Sequence, residues 1–138
     1  MKYLLSSSLL LITSLLLGQS PIGLWKTIDD TDGVEKSYIE IHDIDGKLYA
    51  TVRELLPAAD LTHCNKCKGN KKNAPIIGMT LMRDMEPDGD EWSGGHILDP
   101  ASGKEYKCII ALEDENKLKV RGYVGAPFLG RTQYWFRK

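Results

Sequence analysis

The chain has 138 residues, enough to bury the core of one domain but too few for two. Its 18 lysine and arginine residues are balanced by 19 aspartate and glutamate residues, which gives a formal net charge of −1. Nothing in that balance suggests a nucleic-acid partner, which would need a basic excess concentrated on one face, so we expect none.

The first 18 residues have the layout of a secretory signal peptide. Lys2 precedes an apolar run from Tyr3 to Leu17, and this run is shorter than the roughly 20 residues needed to span a bilayer. The sequence therefore predicts a cleaved leader over residues 1–18, no transmembrane anchor, and one mature domain over residues 19–138. We expect the product to be secreted or periplasmic, in an oxidising compartment.

Short strand-like segments separated by turn residues fill the rest of the chain. Segments such as "VEKSYIEI", "KLYATVREL" and "KLKVRGYV" are rich in β-branched and aromatic residues, and Asp-Gly, Asp-Pro or Asn marks the turns between them. About eight strands in hairpin succession predict an all-β, antiparallel up-and-down barrel, because closure leaves no exposed edge strand. A barrel of this size is either filled by side chains or holds one small ligand. A split sandwich is the structural alternative.

Two cysteines lie in the longest predicted loop, "LTHCNKCKGNKKN". In an oxidising compartment we expect Cys64 and Cys67 to form a disulfide that ties down this loop. A zinc site formed by His63, Cys64, Cys67 and Cys108 is one alternative, although only the Cys64–Cys67 half has a spacing typical of zinc sites. A redox couple is a second alternative, since nearby lysines lower the pKa of a thiol. Cys108 lies in mid-strand and is predicted to be a small buried hydrophobic residue.

The same loop carries the most concentrated charge in the chain, on Lys66, Lys68, Lys71 and Lys72. A solvated loop is the simplest interpretation of this composition. The alternative is a weak contact with an anionic envelope surface or an acidic ligand.

Aromatic and charged residues on different strands are candidates to line a ligand site. Aromatic side chains line apolar pockets as readily as they fill cores, and a mid-strand arginine faces solvent or needs an internal partner. The candidates are Trp25, Tyr49, Arg53, Trp92, His96, Tyr106, Arg121 and Tyr123. Strand alternation alone leaves open whether Arg121 points inward or outward. The sequence shows no local catalytic arrangement, so we expect neither an enzyme nor a cofactor.

Two stretches carry a resemblance to known families. "PIGLWKT" places Gly23-x-Trp25 at the start of the first strand, which is similar to lipocalin-type barrels. There the tryptophan plugs the closed end and an arginine of the last strand covers it, and Arg131 and Arg137 are the two candidates for that cover. The second stretch, "EWSGGHILDPASGKEYKC" followed by "LKVRGY" and "LGRTQYWFR", resembles a small secreted bacterial family known as domain of unknown function 2147, which is lipocalin-like.

This resemblance implies the barrel fold and export, and it implies structural roles for a set of residues. Two adjacent glycines suit a bulge or sharp bend, and Asp-Pro followed by glycine suits a tight turn. The residues with implied structural roles are Gly23, Trp25, Gly94, Gly95, Asp99, Pro100, Gly103 and Arg131.

The leading functional hypothesis is a non-catalytic secreted or periplasmic barrel that binds a small amphipathic or hydrophobic molecule, such as a lipid. The alternative is an envelope interaction module with a filled barrel, in which the Cys64–Cys67 loop is the contact surface. A cysteine-based redox or zinc-binding protein is the third hypothesis. The first two hypotheses differ in whether the barrel contains an open cavity, and the third predicts rapid thiol–disulfide exchange at Cys64 and Cys67.

Overall fold

The computed structural model describes residues 19–138, and the predicted leader, residues 1–18, lies outside the described residues. Residues 19–138 form eight β-strands: β1 (Gly23–Ile28), β2 (Glu35–Ile44), β3 (Lys47–Leu55), β4 (Thr80–Asp88), β5 (Glu91–Asp99), β6 (Lys104–Asp114), β7 (Lys117–Tyr123) and β8 (Gly130–Arg137). A 3₁₀ turn, Gly69–Lys71, lies in the connection between β3 and β4. Within residues 19–138, no helix is long and apolar enough to cross a membrane.

The eight strands close into a barrel. Each strand pairs antiparallel with the strands before and after it, and β8 returns to pair with β1. The closing ladder places Trp25 opposite Arg137 and Thr27 opposite Trp135. Every one of the eight strands therefore has two neighbours. The prediction of an all-β, eight-stranded antiparallel up-and-down barrel is confirmed.

Alternation along the strands directs one face of each strand into the barrel. In β2, Ile39 and Ile41 are fully buried, whereas the residues on either side of each are partly exposed. In β7, Leu118 and Val120 are buried by the same alternation. Burying a side chain of this size contributes about 1.5–3 kcal/mol. This burial holds the strands in register, because a slip of one residue would turn these side chains to solvent.

The connections differ between the two ends of the barrel. Tight hairpins join β2 to β3, β4 to β5 and β6 to β7 at one end. In the first of these, Asp45 and Gly46 have φ angles of 53° and 85°, as an Asp-Gly hairpin turn requires. The other four connections, including the long one between β3 and β4, lie at the opposite end. We call the two ends the turn end and the loop end.

Trp25 and Arg137 close the turn end. The Trp25 side chain is fully buried, and its Nε1 donates a hydrogen bond to the carbonyl of Pro21 at 2.8 Å. The Arg137 guanidinium lies 4.3 Å from the centroid of the Trp25 ring. A Cβ at Gly23 would stand 2.9 Å from Arg137 Nη1, so the glycine leaves room for the guanidinium. The cover comes from Arg137, whereas Arg131 lies at the far end of β8.

Cys64 and Cys67 form a disulfide in the connection between β3 and β4. Both cysteines are buried, and they pack with Met79 and Leu98 in a small cluster separate from the main core. Leu98 follows the inward-facing Ile97 on β5, so this cluster lies against the outer side of the barrel wall. The disulfide therefore anchors the long loop to the barrel surface.

The turn between β5 and β6 is shaped to receive this disulfide loop. The Asp99 carboxylate accepts hydrogen bonds from the Ala101 N–H at 3.0 Å and the Ser102 hydroxyl at 2.9 Å, which fixes the turn. Gly103 has a φ of 71°, and a Cβ there would overlap the carbonyl group of Lys66. Only glycine permits both this backbone angle and this close approach.

Two adjacent glycines bend β5. The ladder between β5 and β6 shifts register between Trp92 and Gly95, and Gly94 has a φ of 79°. A Cβ at Gly95 would overlap the carbonyl of Arg83 on β4. Because of the extra residue, Trp92, Gly95 and Ile97 share the inward face of β5.

Candidate functional site

A cavity of about 890 Å³ opens at the loop end of the barrel. Its volume falls within the range of about 300–1,000 Å³ found for small-molecule sites. Its deeper part is lined by apolar side chains from five strands and one loop, which we call the apolar wall: Val52, Ile76, Leu81, Ile97, Val120 and Trp135. The barrel is therefore plugged at the turn end and open at the loop end.

Polar groups within the wall bond to one another. Trp135 Nε1 donates a hydrogen bond to Gln133 Oε1 at 2.9 Å. The hydroxyls of Thr27 and Ser37, on neighbouring strands, are 2.7 Å apart and share a hydrogen bond. Because these partners satisfy each other, the wall suits the apolar part of a ligand.

One side of the cavity has little side-chain bulk. Gly122 on β7 lines the cavity between the aromatic residues Tyr106 and Tyr123. A Cβ at Gly122 would point toward Tyr106 and Ile97, at ordinary contact distances of 3.4 and 3.5 Å. Because Gly122 lines the cavity, we expect a larger side chain at this position to occupy part of the cavity volume.

The mouth of the cavity is rich in carboxylates. We call the following seven lining residues the mouth charges: Asp29, Asp30, Asp32, Lys36, Asp60, Asp99 and Arg131. Arg131 donates two hydrogen bonds to the Asp30 carboxylate, at 2.9 and 2.7 Å, and this pairing raises the pKa of Arg131. It joins the β1–β2 connection to the start of β8.

The second cation of the mouth is also paired. Lys36 Nζ lies 3.3 Å from Asp32 and 3.6 Å from Asp60. Asp29 is held differently, because the hydroxyl and backbone N–H of Thr31 both donate to its carboxylate. The hydrogen bond from the Thr31 side chain lowers the pKa of Asp29, so this carboxylate stays ionised at neutral pH.

An apolar lip borders the mouth on the β7–β8 connection. Phe128 and Leu129 line the cavity, yet Phe128 is 79% exposed and Leu129 60% exposed. Val124 on the same connection is also exposed. Arg121 Nε donates to the carbonyl of Pro127 at 2.7 Å, which ties this lip to the outer side of β7. The lip extends the apolar surface of the cavity to its rim.

Two of the eight predicted ligand-binding residues, Tyr106 and Tyr123, line the cavity. Trp25 lies beneath it, in the plug of the turn end. Tyr49 faces outward, where its hydroxyl donates to Asp84 at 2.8 Å. Of the predicted aromatic residues, Tyr106 and Tyr123 are therefore the two that contribute to the cavity lining.

The two predicted arginines are also outside the cavity. Arg53 pairs with Glu40 at 2.9 Å on the outer surface. Arg121 lies between the inward residues Val120 and Gly122, and it donates to the Thr132 hydroxyl at 2.7 Å on the outer face. The direction that alternation left open for Arg121 is thus outward.

Trp92 and His96 lie on opposite faces of β5, whereas strict alternation would put two residues four positions apart on the same face. The bulge at Gly94 and Gly95 inserts an extra residue, so Trp92 packs against the core near the turn end. His96 stands opposite Arg83 and Lys107 in the ladders, on the outer face. Neither side chain lines the cavity.

The sequence did not single out the apolar wall or the paired mouth charges. Alternation in β3 and β7 indicates that Val52 and Val120 face inward, and that signal could have found them. Ile76 comes from the long connection, where no periodicity marks it. Asp30 and Arg131 are about 100 residues apart in the sequence, so no local sequence pattern indicates that they pair.

The alternative zinc ligands are not brought together. Cys64 and Cys67 are bonded to each other outside the barrel wall, whereas Cys108 is buried in the main core. Burial raises the pKa of Cys108 to about 12, so its thiol stays protonated and unreactive at neutral pH. Among residues 19–138, no group of three or more His, Cys, Asp or Glu side chains is arranged to hold a metal ion. The buried disulfide favours a structural role for the cysteine pair.

Comparison with protein-family models identifies the family of this chain. Residues 23–137 match the model of a family described as "Uncharacterized protein conserved in bacteria (DUF2147)". The chain belongs to this family. The resemblance noted in the sequence is thereby confirmed, and this DUF2147 protein carries the matched region across all eight strands.

The barrel is also similar to a solved structure. Protein HP1028 from the human pathogen Helicobacter pylori, described as belonging to the lipocalin family, matches this DUF2147 protein with a TM-score of 0.76. The match covers 88% of this chain and 84% of that chain at 18% sequence identity, so it shows a shared lipocalin-like fold. A search of curated proteins found no match.

Proposed function

We propose that this DUF2147 protein is a non-catalytic binding protein that holds a small hydrophobic or amphipathic molecule in its barrel. The observation that carries the proposal is the cavity of about 890 Å³, open at the loop end and walled by apolar side chains. A lipocalin-like barrel with one plugged end supports the same role, because a site of this shape buries most of a small ligand.

The energetics of burial fit a ligand of modest size. Each methylene group moved from water into an apolar site contributes about 0.8 kcal/mol. Ten such groups contribute about 8 kcal/mol, which corresponds to a dissociation constant near 1 μM before the costs of association are subtracted. The apolar wall supplies the contacts for such a chain or ring system.

The proposal includes export to the periplasm or the exterior. Residues 1–18 have the layout of a leader, and the disulfide of Cys64 and Cys67 suits an oxidising compartment. Cell fractionation of the full-length chain should recover a shortened, disulfide-bonded form outside the cytoplasm. Full-length protein confined to the cytoplasm would contradict this part of the proposal.

Filling the cavity tests the binding role directly. Gly122→Leu places a side chain in the cavity and should weaken binding of the neutral fluorescent probe N-phenyl-1-naphthylamine at least about tenfold, a loss of about 1.4 kcal/mol. The matched control is Ala111→Leu, which adds bulk on the outer face of β6 opposite Lys119. Binding is measured by probe fluorescence and its stoichiometry by native mass spectrometry.

The control should bind the probe as the unaltered protein does, with one probe molecule per chain. If Gly122→Leu fails to fold, Val52→Phe fills the same cavity from β3 and serves as the second variant. Equal probe affinity in the filled variants and the control, or no probe binding at all, would contradict the proposal.

A second candidate role is a weak contact between the disulfide loop and an anionic envelope surface. Its support is the exposure of Lys66, Lys68 and Lys72 at the loop end, on a segment that the disulfide holds in place. Replacing all three with glutamine should lower co-sedimentation with anionic vesicles severalfold and leave neutral vesicles unaffected. Unchanged co-sedimentation would rule this role out. The open cavity makes ligand binding the better-supported function.

A further inference from the structure

The mouth charges set the electrostatic character of the cavity. Five of the seven are carboxylates and two are cations, so the formal charge at the mouth is two minus five, or −3. The residues are contributed by four different parts of the loop end: the β1–β2 connection with the start of β2, the β3–β4 connection, the end of β5, and β8. The five carboxylates come from the first three of these parts, and β8 contributes the cation Arg131.

Neither cation of the mouth is free to receive an anionic ligand. Arg131 gives two hydrogen bonds to Asp30, at 2.9 and 2.7 Å, and Lys36 lies between Asp32 and Asp60. A carboxylate or phosphate on a ligand would have to displace one of these partners and would then face the remaining carboxylates. Like charges placed together in this way disfavour binding.

The remaining carboxylates are oriented and able to accept more hydrogen bonds. Asp29 is fixed by Thr31, and Asp99 is fixed by Ala101 and Ser102, so neither has to be ordered when a ligand arrives. A carboxylate has about four acceptor positions, and these contacts leave some of them open. Pre-ordered acceptors around an apolar cavity are complementary to a cationic group.

The depth of the cavity determines where the tail and the head of an amphiphilic ligand would lie. A tail held by the apolar wall leaves the head of the ligand at the mouth, level with the mouth charges. We propose that this cavity selects amphiphiles with a positively charged head group, such as an ammonium or guanidinium group, over those with an anionic head. This inference rests on the proposed binding function and adds the class of ligand to it.

A series of amphiphiles with the same tail tests the selectivity. Dodecyltrimethylammonium, dodecyl maltoside and laurate would each be titrated below their micelle concentrations, at low ionic strength, to displace N-phenyl-1-naphthylamine. We expect the cation to bind about tenfold more tightly than laurate, with the neutral sugar amphiphile between them. Because exposed charges are screened by salt, the difference should narrow at about 0.5 M sodium chloride.

A pair of variants assigns the selectivity to the mouth. Asp32→Asn with Asp60→Asn removes both partners of Lys36, and asparagine at position 32 keeps the acceptor for the Val34 N–H. This double variant should bring the affinities of the cation and laurate to within about threefold of each other. The matched control, Asp90→Asn with Glu113→Gln, makes the same change in net charge at the turn end and should keep the original preference.

The possible results distinguish a failure of the charge selectivity from a failure of the proposed binding function. If the neutral amphiphile binds but laurate binds as tightly as the cation or more tightly, the charge selectivity is wrong and the binding function stands. If the preference for the cation survives in the double variant, its assignment to the mouth is wrong. If no amphiphile and no probe binds, both the function and the inference are overturned.

Discussion

Gly103 shows how one position decides the placement of a whole loop. Its φ of 71° already favours glycine, and a Cβ there would overlap the backbone of Lys66 in the disulfide loop. Gly89, in the β4–β5 turn, has a similar φ of 64° but no atom within 4 Å of its Cβ position. The two glycines therefore share a backbone angle and differ in their surroundings.

Alanine substitution at these two glycines should give different losses of stability. Gly89→Ala should cost about 1 kcal/mol from the left-handed backbone angle alone. Gly103→Ala should cost about 3 kcal/mol, because the loop must also move away from the turn. Urea denaturation of both variants measures the two free energies of unfolding. Equal losses would show that the loop does not rest on Gly103.

Individual residues differ in how well the sequence predicts their positions. The resemblance to lipocalin-type barrels implies the plug formed by Trp25, but the choice of Arg137 as its cover depends on which end of β8 lies near Trp25. Likewise, alternation fails for His96 because the bulge at Gly94 and Gly95 inserts a residue. A bulge shifts the alternation by one residue, and the pattern of apolar and polar residues in β5 does not show where the bulge lies.

At the scale of elements, a polar network on the outer face joins β3, β4 and β6. Tyr49 donates to Asp84, and Arg83 donates to both Asp84 and Glu105, each at 2.8–2.9 Å. The hydrogen bond from Tyr49, followed by that from Arg83, lowers the pKa of Asp84. The hydrogen bond from Arg83 lowers the pKa of Glu105.

This network makes the stability of the barrel depend on pH. Both carboxyls have a lower pKa when folded than their reference values of 3.8 and 4.5, so the network stabilises the fold above those values. The free energy of unfolding should fall as the pH decreases below about 5 and the carboxylates of the folded state become protonated. Urea denaturation at a series of pH values measures this slope.

The double variant Asp84→Asn with Glu105→Gln assigns that slope to the network. Asparagine tolerates the φ of 59° at position 84, so the backbone should be preserved. The variant should be less stable near pH 7 and lose less stability on acidification than the unaltered protein. A slope equal to that of the unaltered protein would show that other carboxylates control the acid response.

The strands and the tight hairpin turns were largely predictable from the sequence, and the course of the long connection was not. Eight strands, their order and their hairpin turns follow from alternation and from residues such as Asp45 and Gly46. The course of the disulfide loop over the outside of the barrel does not, because it depends on contacts with Leu98 and Gly103 that are distant in sequence. Long connections lack the periodicity that guides prediction within strands.

For the whole molecule, the decisive feature is the contrast between its two ends. Trp25 and Arg137 plug the turn end, while the loop end opens on a cavity with an apolar wall and a negatively charged mouth. The sequence alone predicted a barrel that was either filled or able to hold a ligand. Whether the barrel is filled or open depends on the total volume of the inward-facing side chains of all eight strands. Gly122 lowers that total, because glycine has no side chain.

A crystal structure of the protein with N-phenyl-1-naphthylamine would show directly whether the barrel holds a ligand. We expect one probe molecule inside the barrel, in contact with Val52, Val120 and Trp135 and next to Gly122. An interior closed by side chains, with the probe on the outer surface or absent, would contradict it.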